Sequence, residues 1–295
     1  MRILVILLLS QLSFAQISGT VKDSKTKVGI SYVNIGVENK EIGVSANENG
    51  AFILPKLDEN DILIFSAVGY KPLKLKFKDL IGGVYLEQNI LELKELLVTP
   101  RIGKNTLKIG TVDKKQIKSF FANQGYPRMY GRFIPFAENI SETRYIKEIR
   151  FLTRSKIRTT IFNVRLLTLN KEGEPIEYYS EQNIIGQCKK GMNITAVDVK
   201  NLNIKFPESG LLVGVEWLVI ERNKFVMEYR EVEKNQKTKR TEYSPWFGGD
   251  YEIVNNSWMK STNPKWNKQM AYINDIPKGS KGKYHTLAVE LLLTD

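Results

Sequence analysis

Apolar and polar side chains alternate with a period of two along most of this chain, the pattern of half-buried β-strands, and apolar residues at helical spacing are scarce. Residues 17–21 (ISGTV) open a first strand. In residues 30–37 (ISYVNIGV), Val33, Ile35 and Val37 share an apolar face, and Tyr32, Asn34 and Gly36 occupy the other. Residues 42–45 lead into the turn Asn47-Glu48-Asn49-Gly50, where Gly50 supplies the positive φ of a tight hairpin and Phe52 returns to the core. Residues 62–67 (ILIFSA) are apolar on both faces, as in a sandwich interior. Leu73, Leu75 and Phe77 alternate with Lys74, Lys76 and Lys78, so the next strand has one wet face whose lysines discourage edge pairing. Residues 84–86 and 96–98 close the set.

Residues 100–143 break this rhythm. Gly, Pro and Lys are scattered through them, and they read as a connector with one short helix at 114–121. Alternation resumes in 144–295. Strands are expected around Ile149 and Phe151 and at 161–169, 194–199, 202–206 and 211–220, with a last one through Leu287, Val289, Leu291 and Leu293. Many short strands with regular turns predict a second, jelly-roll-like β-sandwich.

Residues 17–23 (ISGTVKD), 29–35 (GISYVNI), 43–52 (GVSANENGAF) and 63–70 (LIFSAVGY) resemble the carboxypeptidase regulatory-like family, in sequence and in spacing. That resemblance implies a seven-stranded transthyretin-like or Ig-like sandwich over residues 16–99. Asn47 stands where the family usually has Asp, a lost charge at a turn. The family also occurs at the front of outer-membrane receptors of Bacteroidetes-type bacteria, and residues 91–100 (LELKELLVTP) are similar to the stretch leading into a receptor plug. It takes its name from metallocarboxypeptidases, but their zinc needs two His and a Glu, and this chain has a single His, His285. A receptor barrel does not fit in the remaining length. The resemblance therefore implies a module and a compartment, without an activity.

Composition narrows the class. Residues 1–15 carry Arg2, an apolar run over 3–9 and small residues before Gln16, the form of a cleaved export signal. No later run is long enough for a transmembrane helix. One cysteine, Cys188, excludes an internal disulfide, which suits a periplasmic or outer-membrane-associated protein of a bacterial envelope. Net charge is +12, and the excess lies beyond Arg101. For an exported protein this points away from nucleic acid and toward lipid headgroups, lipopolysaccharide or acidic glycans.

Candidate chemistry is sparse. The turn Ser45-x-Asn47-x-Asn49-Gly50 imitates the start of a calcium loop, but Ser45 holds the first ligand position and Lys56 the twelfth, so it reads as a hairpin turn. His285 has no neighbouring ligand residues and reads as structural. Cys188 lacks a nearby base and reads as an ordinary strand-end thiol. Glu216, alone in an apolar strand, either pairs with Arg165 or a lysine, or forms a glycosidase-type pair with Asp198. Trp246, Tyr251, Trp258 and Trp266, with Tyr243, lie in turn-rich sequence and are the candidate ligand-binding residues, since loop-borne aromatics stack on sugar rings. Residues 234–240 (KNQKTKR) form a basic hairpin tip. The sequence thus predicts an all-β, exported, non-catalytic binding or structural protein with no metal or cofactor, acting on a partner protein or a glycan. Its rival is a hydrolase of envelope or dietary glycans that uses carboxylates of the second sandwich.

Overall fold

The structure, a computed structural model, describes residues 17–89, 103, 105–179, 181–231, 236–263, 265–275 and 277–295. The export signal expected at 1–15, the strand expected at 96–98 and part of the basic tip lie outside these residues. The chain is all-β, as its alternation predicts.

The first body consists of β1 (Ile17–Asp23), β2 (Asn34–Val37), β3 (Gly43–Ser45), β4 (Ala51–Leu54), β5 (Ile62–Ser66), β6 (Leu73–Lys76) and β7 (Val84–Leu86). They pair as two sheets, β4-β1-β7 and β3-β2-β5-β6. Val21, Phe52, Leu54 and Leu86 of the first sheet meet Ile35, Val37, Leu63 and Phe65 of the second in one core. Burying side chains of this size contributes about 1.5–3 kcal/mol each. The expected turn forms: Asn47 Oδ1 accepts the backbone N–H groups of Asn49 and Ala51 at 2.9 and 3.0 Å. Gly50 has φ +78° there, and a Cβ on it would meet the Val21 carbonyl oxygen at 2.5 Å.

The second body is one curled sheet of thirteen strands. These are β8 (Thr106–Gly110), β9 (Ser119–Asn123), β10 (Met129–Ile134), β11 (Tyr145–Leu169), β12 (Pro175–Glu177), β13 (Ile184–Asp198), β14 (Leu211–Trp217), β15 (Lys224–Glu231), β16 (Gln236–Glu252), β17 (Ser257–Lys260), β18 (Asn267–Lys268), β19 (Tyr284–Leu287) and β20 (Val289–Thr294). The spine is β11, which pairs with β12, β13, β14, β16 and β20.

A bulge between Ser155 and Thr159 lets one strand serve two layers. Before it Phe151, Thr153 and Ser155 point inward; after it Thr160, Phe162 and Val164 do, so the alternation changes parity. The rings of Phe151 and Phe162 end up edge-on, with centroids 5.7 Å apart. A straight strand would hold these positions roughly 35 Å apart. Phe247 and Trp217 pack edge-on at 5.0 Å in the same core, and Trp217 Nε1 donates to the Pro245 carbonyl at 2.6 Å. Strand β14, expected to be apolar on both faces, is buried along its whole length between β10 and β11.

Two local expectations are corrected. Residues 114–121 are not a helix: one turn closes from Ile117 N–H to the Asp113 carbonyl, and then Ser119, Phe120 and Phe121 enter the ladder of β16. Strand pairing and core contacts for the two phenylalanines outweigh local helix propensity. More broadly, residues 100–143 supply β8, β9 and β10 to the large sheet. Residues 202–206 are not a strand either, because Asn203 takes a left-handed φ of 48° and only Lys205 bridges, to Tyr145.

The two bodies meet along the outward face of β2 and the residues leading into it. Tyr32 packs against Ile161, Leu218 and Ile220, Asn34 reaches Glu216, and Gly36 lies against Thr262. Ser45 exchanges two hydrogen bonds with Val219: its N–H donates to the Val219 carbonyl at 3.1 Å, and its Oγ accepts the Val219 N–H at 2.9 Å. Thr262 Oγ1 donates to the Lys40 carbonyl at 2.7 Å, and Tyr126 Oη donates to Glu41 Oε1 at 2.6 Å.

Candidate functional site: a charged cavity between the two bodies

A cavity of about 250 Å³ opens at this junction. Asn34, Gly36, Ile64, Ser66, Tyr70 and Asn89 of the first body face Arg128, Met129, Arg165, Glu177, Glu216 and Lys260 of the second. Strand register explains the grouping. Glu216 on β14 stands opposite Asn163 on β11; Arg165 follows two positions on, and Glu177 on β12 pairs across from Leu167. All four polar side chains therefore leave the sheet on one face.

Glu216, with a side chain 4% exposed, is fully engaged. Its Oε1 accepts Asn34 Nδ2 at 2.5 Å and Arg165 Nη1 at 3.2 Å, and its Oε2 accepts Asn163 Nδ2 at 2.9 Å. Arg165 Nη2 also binds Glu177 Oε1. Burial opposes charge on Arg165, but Glu177 and Glu216 more than offset it, so its pKa is raised. Arg128 lies 4.4 Å over the Tyr126 ring and pairs with Glu41 at 3.5 Å.

Lys260, at the end of β17, is different. Burial, and after it the charge of Arg165, lowers its pKa below the ordinary lysine value. Its Nζ sits 5.9 Å from the centroid of Trp266 and makes no direct ion pair among the described residues, although the charges of Glu216 and Glu177 partly offset that of Arg165. Buried polar atoms at this cavity also lack hydrogen-bond partners among those residues: Arg165 Nε, Arg128 Nε and Glu177 Oε2. Three cations and two carboxylates line the wall, and Glu41, paired with Arg128 from outside it, supplies a third negative charge.

The structure scatters the other candidates. Asp198 is exposed and pairs with Lys200 at 3.2 Å. It lies opposite Glu148 on β11 whereas Glu216 lies opposite Asn163, with the bulge between, so these two acids do not face one cleft. Trp246 donates Nε1 to Glu242 Oε2 at 3.1 Å, beneath the Arg154 guanidinium. Tyr251 stacks on His285 at 5.0 Å and hydrogen-bonds Ser119 at 3.1 Å. Trp258 is buried with Leu167 and Leu212, and Trp266 packs on the same cluster. Trp246 and Tyr251, five positions apart on β16, face opposite sides of the strand, so the four rings form no single platform.

His285 is buried between Phe121, stacked at 3.9 Å, and Tyr251; burial pushes its pKa down to about 4. Cys188 is buried inside β13 with Thr160 Oγ1 2.8 Å from its Sγ, and burial pushes the thiol up. No group of three His, Cys, Asp or Glu residues gathers in metal-binding proximity among the described residues. No helix there is long and apolar enough to cross a membrane.

Of the cavity residues, sequence reasoning singled out only Glu216 and its partner Arg165. It missed Asn34, Glu177 and Lys260. One signal was present: Tyr32, just before β2, and the outward residues Asn34 and Gly36 of β2 are uncharged, whereas the outward residues of β6 are lysines. An uncharged polar face on a sandwich strand marks a covered surface.

Comparison with curated proteins gave no significant match, and neither did comparison with solved structures. Residues 17–98 match the family described as the CarboxypepD_reg-like domain, a non-catalytic β domain, in agreement with the resemblance read from the sequence. The first of the two β bodies in this chain is therefore a carboxypeptidase regulatory-like domain.

Proposed function

We infer that this is an exported, non-catalytic binding protein of a bacterial envelope, recognising a glycan. The regulatory-like domain at 17–98 belongs to a family typical of exported proteins. The observation that carries the reading is the state of the acids at the cavity. Glu216 has both oxygens occupied by N–H donors, and Arg165 stands between it and Glu177. Glycoside hydrolysis needs two carboxyl groups flanking the bond, one of them able to give a proton. Here one carboxylate oxygen, Glu177 Oε2, is left without a hydrogen-bond partner among the described residues. A paired, preorganised polar wall suits recognition.

The hydrolase reading keeps one supporting observation, that Glu177 and Glu216 line the same cavity. A single experiment separates the two. The exported chain is assayed against an array of envelope and plant glycans, once for retention and once for release of reducing ends. Retention without release is the expected result. Release that disappears in Glu177→Gln would establish the hydrolase, and neither retention nor release would remove both readings.

A further inference from the structure

We propose that the cavity between the two bodies holds one carboxylate-bearing sugar ring, of the hexuronate class. The inference rests on the glycan-binding reading and adds a place and a ligand class to it.

The ligand follows from what the wall has left to offer. Arg165, Glu216 and Asn34 are committed to one another, Arg128 to Glu41, and the hydroxyls of Tyr70 and Thr262 to Asp23 and the Lys40 carbonyl. The uncommitted groups among the described residues are the Lys260 ammonium, the Nε–H groups of Arg128 and Arg165, the Asn89 amide, the hydroxyls of Ser66 and Ser261, and Glu177 Oε2. An ammonium that makes no direct ion pair, beside two guanidinium Nε–H groups without partners, asks for one carboxylate. A lone carboxylate oxygen asks for a hydroxyl donor, and the amide and hydroxyls match groups that both donate and accept. Ile64, Pro72, Pro127 and Met129 supply apolar wall for the face of a ring. One carboxylate, several hydroxyls and an apolar ring face together describe a uronic acid. A neutral sugar leaves Lys260 without a direct ion pair, and a simple carboxylic acid leaves Glu177 without a donor. The volume, about 250 Å³, suits one ring and falls below the several hundred Å³ typical of larger ligands. A polymer would thus be held by its terminal residue.

Calorimetric titration of the exported chain with glucuronate, galacturonate, glucose and acetate tests this. At least one uronate, free or ending a short oligouronate, is expected to bind at least tenfold more tightly than glucose or acetate. Lys260→Met should lower that affinity at least tenfold while leaving the thermal transition in place. Asn89→Ala, an exposed position, should weaken it several-fold and serves as the second variant should Lys260→Met disturb folding. Equal affinity for glucose and glucuronate overturns the proposal, as does uronate binding that neither variant weakens. If the array shows retention of glycans but no uronate binds, the proposal falls and the broader binding reading stands. If nothing on the array is retained, both fall.

Discussion

Asn34 of the first body donates a 2.5 Å hydrogen bond to Glu216 of the second, across 182 positions of sequence. Behind Asn34, Ser45 Oγ donates to its Oδ1 at 3.0 Å and also accepts the Val219 N–H. Behind Glu216 stand Asn163 and Arg165. A continuous polar chain thus joins the two bodies, and its interior position makes each link costly to break.

Glu216→Ala would strand Arg165 and two amides in a buried site. Breaking a buried pair on one side costs roughly 3–5 kcal/mol. Urea denaturation should show a loss of that order for Glu216→Ala and a smaller one for Glu216→Gln, which keeps one acceptor. Equal stabilities for wild type and Glu216→Ala would contradict the assigned network.

Gly36 presents the second body with a bare backbone. A Cβ there would sit 2.9 Å from Thr262 Cγ2, closer than real side chains tolerate. Gly36→Val should wedge the bodies apart, raising the radius of gyration in small-angle scattering while circular dichroism keeps its β character. Adding Thr262→Gly should restore compactness, and a wedge that this second change does not relieve would place the contact elsewhere.

Asp23 anchors the turn after β1. Its Oδ1 accepts the N–H groups of Lys25 and Thr26 at 2.8 Å, and its Oδ2 accepts Tyr70 Oη at 3.0 Å and Gln88 Nε2 at 2.8 Å. The Thr26 N–H bond and the others hold its carboxyl well below the usual range, with burial opposing them. Because the folded value is depressed, the stabilisation is complete above the ordinary carboxylate range and is lost as pH falls toward the folded value. Wild type should exceed Asp23→Asn in denaturation midpoint at pH 7, with the gap narrowing below about pH 4. A gap that stays constant down to pH 2 would rule out this linkage.

His285 gives the complementary window. Its pKa is lowered by burial from 6.5 to about 4, so the unfolded chain takes up a proton that the folded one refuses. Stability should fall as pH drops between those values, by roughly 3 kcal/mol in all. His285→Leu should remove that slope, while other carboxylate titrations remain. Denaturation midpoints at pH 7 and 4.5 for both proteins measure it, and parallel curves would show that His285 is not the cause.

The sandwich was readable because its strands obey simple alternation: Val33, Ile35 and Val37 point into the core as spaced, and Gly50 turns the chain as its position demands. Strand β14 was readable because a run apolar on both faces has one comfortable place, the middle of a sheet. Strand β11 was not, since a bulge at 155–159 changes parity and one long strand passes for two unrelated ones. The cavity was hidden for a different reason. Asn34, Glu177 and Lys260 are unremarkable singly, and only long-range register brings them together with Glu216 and Arg165. The placement of the tryptophans was not legible, because residue type and turn-rich context say nothing about which side of a strand a ring takes.

Strand β8, at Thr106–Gly110, pairs with β20, at Val289–Thr294, and β20 also pairs with the first half of β11. Closure of the large sheet therefore waits on residues made almost two hundred positions after its first strand. Contacts so distant in sequence slow folding and leave aliphatic surfaces bare in the meantime. A cell that threads this chain across a membrane amino-end first would have to shield Phe151, Phe162 and Trp217 from their neighbours until Leu291 and Leu293 arrive to cover that core.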